Sequence, residues 1–245
     1  MTNKTISPGH RKRLRERFLK WGLAGFSDYE IMELLLTLGS PRKDCKQLAK
    51  EVIKKFKTLR GAMAASPEEL QQIEGIGPHN VFGIKLVQEV GKEFLKLKII
   101  DKPVYKSSQE ILDYLYYSMR DLKKEVFKVI YLTSQNRIIQ VDDLFKGTID
   151  YGSISPREVV ESAIKHNAAA LIFVHNHPSG NPWPSGNDEQ LTRDLVFAGS
   201  ITRIKVLDHI IVGENRHYSF SDQGLIRKHE LDFLRLKIQT AALTE

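Results

Sequence analysis

Positions 10–95 carry apolar residues at helical spacing, and positions 125–220 add apolar runs dense enough for buried strands. Leu14, Phe18 and Leu19 give one apolar face to a basic helix over 10–20, which 22–27 breaks. Ile31, Leu34, Leu35 and Leu38 recur at helical spacing over 28–38, and Gly39-Ser40-Pro41 ends that helix. Asp44 can cap a third helix through about 55. Ser66-Pro67-Glu68-Glu69 is a helix start, with an N-cap serine, proline in the first turn and glutamate at the third position. That helix ends at Gly75-Ile76-Gly77-Pro78, and another follows over 79–95. Ile111, Leu112 and Leu115 mark a helix capped by Ser107 or Ser108 and running to about 122. Two strands follow, from Glu125 and over 138–145, with Asn136-Arg137 as the turn. An irregular stretch covers 147–155, and Pro156 opens a helix with Val159, Val160, Ala163 and Ile164 inward. The run 168–174 reads as a strand buried on both faces. Helix 185–198, strand 205–212, a turn at 213–215, a short strand 217–220 and a partly charged helix from 225 complete the pattern.

This order predicts a small all-α region followed by an α/β layered domain. The stretch 98–106 reads as the linker, with Pro103 at the boundary. The expected division is 1–103, 104–228 and a helical tail 229–245. Charge supports two modules: 1–103 hold 20 Lys and Arg against 12 Asp and Glu, and 104–245 hold 17 against 18. A basic first module suits a polyanion, although a basic helix face is also simply solvated. Arg11, Lys12 and Arg13 lead that basic helix; Arg42 and the paired lysines Lys54-Lys55 extend the charge. Helix, Gly-hydrophobic-Gly, helix over 66–95 resembles a helix-hairpin-helix. There Gly75 and Gly77 would let backbone N–H groups approach a DNA phosphate. A plain turn between two helices has the same pattern.

The chemistry gathers in one stretch. His175-Asn176-His177-Pro178 follows the buried run, and Ser185-x-x-Asp188 follows after six residues. Alternation along a strand turns His175 and His177 to one face and Asn176 to the other. Pro178 stops the ladder, so 179–184 is loop. Ser185 suits a helix N-cap with Asp188 three residues on, and Asp188 can turn back toward the histidines. Two imidazoles and one carboxylate suit zinc and leave a fourth position for water. Polar loop histidines beside an ordinary capped helix would give the same letters.

The full string resembles the JAMM (MPN+) metalloprotease motif, and HNHPSG with its surroundings resembles the RadC family, over nearly the whole chain. Asn176 stands where typical eukaryotic JAMM isopeptidases carry Ser or Thr. The resemblance implies an MPN fold, with a mixed sheet and flanking helices, after a helix-hairpin-helix region. It implies zinc held by His175, His177 and Asp188, with Ser185 steadying an oxyanion or only capping its helix. It also places a catalytic glutamate before a short apolar strand upstream of the histidines. Glu125 matches that placement, with Glu158 as the alternative. His209 and His217 read as core or supporting histidines rather than ligands.

The implied function is zinc-dependent hydrolysis of an amide or isopeptide bond in a protein or peptide, with DNA as a partner of the basic region. The competing reading is a DNA-binding or DNA-repair accessory protein whose metal site is structural or inactive. An HNH nuclease does not fit, because its His, Asn and His are spread over a hairpin and helix. A zinc deaminase lacks its Pro-Cys-x-x-Cys here. A single cysteine, Cys45, excludes an internal disulfide and points to a reduced, cytoplasmic setting. No apolar run approaches a membrane span.

Overall fold

The computed structural model describes residues 9–41, 43–147 and 154–242. Arg42, most of the 147–155 stretch and the last three residues lie outside that description. The chain divides into two compact units, 1–91 and 92–245.

The first unit is helical: α1 (Gly9–Trp21), α2 (Asp28–Gly39), α3 (Lys46–Phe56), α4 (Leu59–Ala64), α5 (Pro67–Gln71) and the first part of α6 (Pro78–Ile99). Met32, Leu36, Ala49, Val52, Leu70 and Ile84 are in its core. The buried face of α2 differs from the expected one. Met32, Glu33, Leu36 and Thr37 face inward, while Leu38 is exposed. The helix is apolar nearly all round, so periodicity alone could not choose its face. In α1 only Leu14 is buried, and Phe18 and Leu19 are exposed. α4 was not expected; Thr58 caps it by accepting the Gly61 N–H. Ser66 and Glu69 form the capping box of α5 as the sequence implied.

The second unit is built on a five-stranded mixed sheet in the order β2-β1-β3-β4-β5. The strands are β1 (Val126–Leu132), β2 (Ile138–Lys146), β3 (Ala170–Asn176), β4 (Lys205–Val212) and β5 (His217–Ser219). Only β3 and β4 run parallel; every other pair is antiparallel. A parallel pair needs a crossover, and α9 (Gly186–Thr202) supplies it. All seven residues of β1 and of β3 are buried, as their apolar runs predicted. One face of the sheet packs Ile130, Ile172, Val174 and Ile210 with α7 (Val104–Met119). The other packs Phe127, Phe173 and Ile211 with Val159 of α8 (Pro156–Lys165), Leu195 of α9 and Ile226 of α10 (Leu225–Ala242).

Residues 98–106, read from sequence as a linker, are part of this unit. Ile99 is fully buried in the α7-side core. The Asp101 N–H donates to the Ile138 carbonyl, and the Val104 N–H to that of Asn136. The apolar pair Ile99-Ile100 overrides the loop signal of Asp101 and Pro103. α7 therefore starts at Val104 and kinks at Ser107, the expected cap. α10 is one helix from Leu225, and Phe233 packs edge-on against Phe197 of α9.

Gly199 sits where the end of α9 lies close against the backbone leading into β4. A Cβ there would lie 2.5 Å from the Ile204 carbonyl oxygen and 3.2 Å from Val206. Gly199→Ala is expected to destabilise the unit by about 1–3 kcal/mol, the usual penalty of overpacking. Urea denaturation reads this directly, and an unchanged midpoint would contradict it.

Candidate metal centre

The centre is assembled at the end of β3. His175 lies beside Phe127 of β1 and Ile211 of β4, and is 1% exposed. The His177 N–H donates to the Val212 carbonyl, so the strand's alternation continues past Asn176. Both imidazoles therefore face the α8–α9 side. The loop after Pro178 folds back on itself. The Gly180 N–H donates to the His177 carbonyl, and the Glu214 N–H to that of Gly180. Gly213 permits this, since a Cβ there would be 2.4 Å from the Gly180 oxygen.

Ser185 caps α9, and Asp188 completes the capping box. Asp188 Oδ2 accepts from the Ser185 N–H at 2.7 Å and from its hydroxyl at 2.6 Å. The other oxygen, Oδ1, lies 3.1 Å from His175 Nε2, and Oδ2 lies 3.5 Å from His177 Nε2. The two Nε2 atoms are 3.0 Å apart. Among the described residues, these three form a group able to hold a metal ion. In a tetrahedral site with bonds of about 2.0–2.1 Å, ligand atoms are separated by about 3.3 Å. The observed separations bracket that distance.

Hydrogen bonds fix which ring atoms face the centre. His177 Nδ1 sits 2.8 Å from the Asn181 carbonyl, which can only accept, so Nδ1 carries the proton. His175 Nδ1 sits 2.8 Å from His209 Nε2, and His209 Nδ1 sits 2.7 Å from the Thr192 hydroxyl. The Nε2 atoms of His175 and His177 are thus left to present lone pairs to a carboxylate. Burial makes charging Asp188 harder, but the two imidazoles and the Ser185 hydroxyl beside it hold its carboxyl well below the usual range. Burial pushes His175 down; His177 is also partly buried, yet Asp188 and the Asn181 carbonyl raise it. Lone pairs crowded around an ionised carboxylate call for a cation, and the donor set suits a divalent metal.

Glu125 directly precedes β1 and is half-buried. Its charge acts on both imidazoles, favouring their protonated forms. Glu158 is exposed in the first turn of α8. Ser185 turns its hydroxyl to Asp188, so the cap and the carboxylate share it. His217 is exposed, with Nδ1 3.3 Å from the Tyr116 hydroxyl.

Comparison with known proteins identifies the relationship. Residues 105–225 match the RadC-like JAB domain, and residues 8–82 match the UPF0758 N-terminal family. A UPF0758 protein of Fusobacterium nucleatum is 40% identical over 225 residues, covering 89% of this chain and 97% of that protein. Another, from Pasteurella multocida, is 34% identical over 212 residues, 86% of this chain and 95% of its own length. A third, from Pseudoalteromonas translucida, is 40% identical over 215 residues, 88% and 96% of the two chains. The chain belongs to the RadC family.

The sequence assigned Asn176 no role beyond pointing away from the two histidines. In this RadC chain it points to the opposite face and ties down the segment before β1. Its Oδ1 accepts from the Val126 N–H at 2.9 Å, and its Nδ2 donates to the Lys124 carbonyl at 3.2 Å. It thereby places Glu125. The available clue was a polar residue on a buried strand, which must find partners. Thr192 was also missed, since a threonine inside a helix announces nothing.

In the first unit, Arg11 spends its guanidinium on the C-terminal end of α2, donating to the Pro41, Thr37 and Ser40 carbonyls. It is a structural tie there. Lys12 lies 3.8 Å from Glu16 and is exposed, as is Arg13. Gly75 has φ +93°, the left-handed region that favours glycine, and the Gly77 N–H donates to Asn80 Oδ1 at 3.2 Å. No helix among the described residues is long and apolar enough to cross a membrane.

Asn176→Ala leaves the buried Val126 N–H without its acceptor. The expected loss is about 1–3 kcal/mol of stability. Chemical denaturation measures it, and wild-type stability would show that the pin carries no weight.

Proposed function

We propose that this chain is a zinc-dependent hydrolase of JAMM type that cleaves an amide or isopeptide bond in a peptide or protein. The observation that carries the reading is the convergence of His175 Nε2, His177 Nε2 and a carboxylate oxygen of Asp188 at separations of 3.0–3.5 Å. These three residues would hold the ion. When bound, zinc supplies Lewis acidity and makes water a nucleophile near neutral pH. Glu125 is the proposed general base. It takes the proton of the attacking water and delivers it to the leaving nitrogen as the C–N bond breaks. Ser185, beside Asp188, is the proposed donor to the developing oxyanion once its hydroxyl turns from the carboxylate. Glu158, exposed on α8, is the weaker candidate for the base.

Elemental analysis of the full chain is expected to give about one zinc per molecule after reconstitution. Asp188→Ala should lose the metal. Glu125→Gln should keep it while amide hydrolysis falls on the order of a hundredfold or more. A reconstituted wild type without zinc, or Glu125→Gln with full activity, would overturn the reading.

We also propose that the basic first unit holds DNA, with its Gly75–Gly77 turn serving as a helix-hairpin-helix. A cleft of about 560 Å³ lined by Ser40, Lys43, Gly75, Gly77 and His79 supports this, together with the first unit's basic excess. Arg13 and Lys12 would add phosphate contacts; Arg11 would act through the fold. The logarithm of the affinity for a short duplex is expected to fall linearly with the logarithm of salt concentration, and Lys43→Glu should weaken binding. Salt-independent binding, or no binding, would contradict the assignment.

A further inference from the structure

We infer that Thr192 and His209 are positioning residues that set the ring orientation and the tautomer of His175 for metal binding. The inference rests on the metal-centre reading of His175, His177 and Asp188. Three short contacts form a directed chain. The Thr192 hydroxyl is 2.6 Å from the Asp188 carbonyl oxygen and 2.7 Å from His209 Nδ1, and His209 Nε2 is 2.8 Å from His175 Nδ1. Each contact needs one proton between its two atoms. The carbonyl has none to give, so the hydroxyl proton points to it. His209 Nδ1 must then carry its own proton and donate to the hydroxyl oxygen. A neutral His209 has no second ring proton, so its Nε2 accepts from His175 Nδ1. His175 Nε2 is left unprotonated, which a ligand nitrogen requires.

The surroundings allow no other arrangement. His209 and Thr192 are both fully buried. The His209 ring lies between aromatic residues, with Phe220 stacked at 5.1 Å and Phe127 and Phe173 edge-on at 5.7 and 6.0 Å. Among the described residues, its ring hydrogen-bonds to His175 and Thr192. An apolar side chain would suit those aromatic walls equally well, so core packing does not account for an imidazole. The chain also ends on the backbone of Asp188 itself. The helix that supplies the third ligand therefore sets the angle of the first, and the two cannot shift independently.

The test uses the full chain, zinc and Co²⁺. Thr192→Val keeps the shape and removes the hydroxyl; Thr192→Ser restores it. His209→Leu removes both ring contacts; His209→Gln can still accept from His175 and donate to Thr192. Zinc affinity is measured by chelator competition, with the visible spectrum of the cobalt-loaded protein and the melting temperature of the metal-free protein alongside. Thr192→Val and His209→Leu are expected to weaken zinc binding about tenfold to a hundredfold and to alter the cobalt spectrum. Thr192→Ser and His209→Gln should stay close to wild type in both. If Thr192→Val melts lower but binds zinc with wild-type affinity and spectrum, the two residues are packing only and the inference is wrong. A wild type that binds neither ion would instead sink the metal-centre reading beneath it.

Discussion

A β-strand sends successive side chains to opposite faces, and the end of β3 uses both. Strand β3 is the middle strand of the sheet and is buried along its whole length. His175 goes to one side, Asn176 to the other, and His177 returns to the first. The two histidines of the candidate centre can converge only because the residue between them points away. That residue is used as well. Asn176 reaches through the opposite face to hold the backbone of 122–126 around Glu125, whose charge acts on both imidazoles. A change of one residue in the register of β3 would move all three side chains to the wrong faces.

The third member of the centre depends on a helix start. Asp188 serves two purposes with one carboxylate. Its Oδ2 satisfies the N-cap backbone of α9, and its Oδ1 faces His175. The positive end of the helix favours the ionised form by roughly 0.3–1 kcal/mol, a modest aid beside the two hydrogen bonds from Ser185. The cap fixes the carboxylate's rotamer, and Gly213 lets the intervening loop lie against the β4–β5 turn. The site is thus held by secondary structure at each corner: a strand end, a tight loop and a helix cap.

Much of this was legible in the chain itself. The run 168–174 gave the buried strand, alternation gave the shared face of His175 and His177, and Ser185 with Asp188 gave the cap. What escaped depended on contacts distant in sequence. His175 and His209 lie 34 residues apart and meet only through the parallel pairing of β3 with β4. Asn176 finds its partners 50 residues upstream. The inward face of α2 was misplaced because its apolar residues surround the helix. The 98–106 stretch looked like a linker because Asp101 and Pro103 are loop residues, while Ile99 beside them is core.

The most direct test of the account is X-ray absorption at the zinc edge on the reconstituted full chain. The account predicts two imidazole nitrogens and further oxygen ligands at about 2.0–2.2 Å, with no sulfur, giving four-coordinate zinc. A sulfur contribution, which only Cys45 or a methionine can supply, or a coordination shell without imidazole, would contradict it.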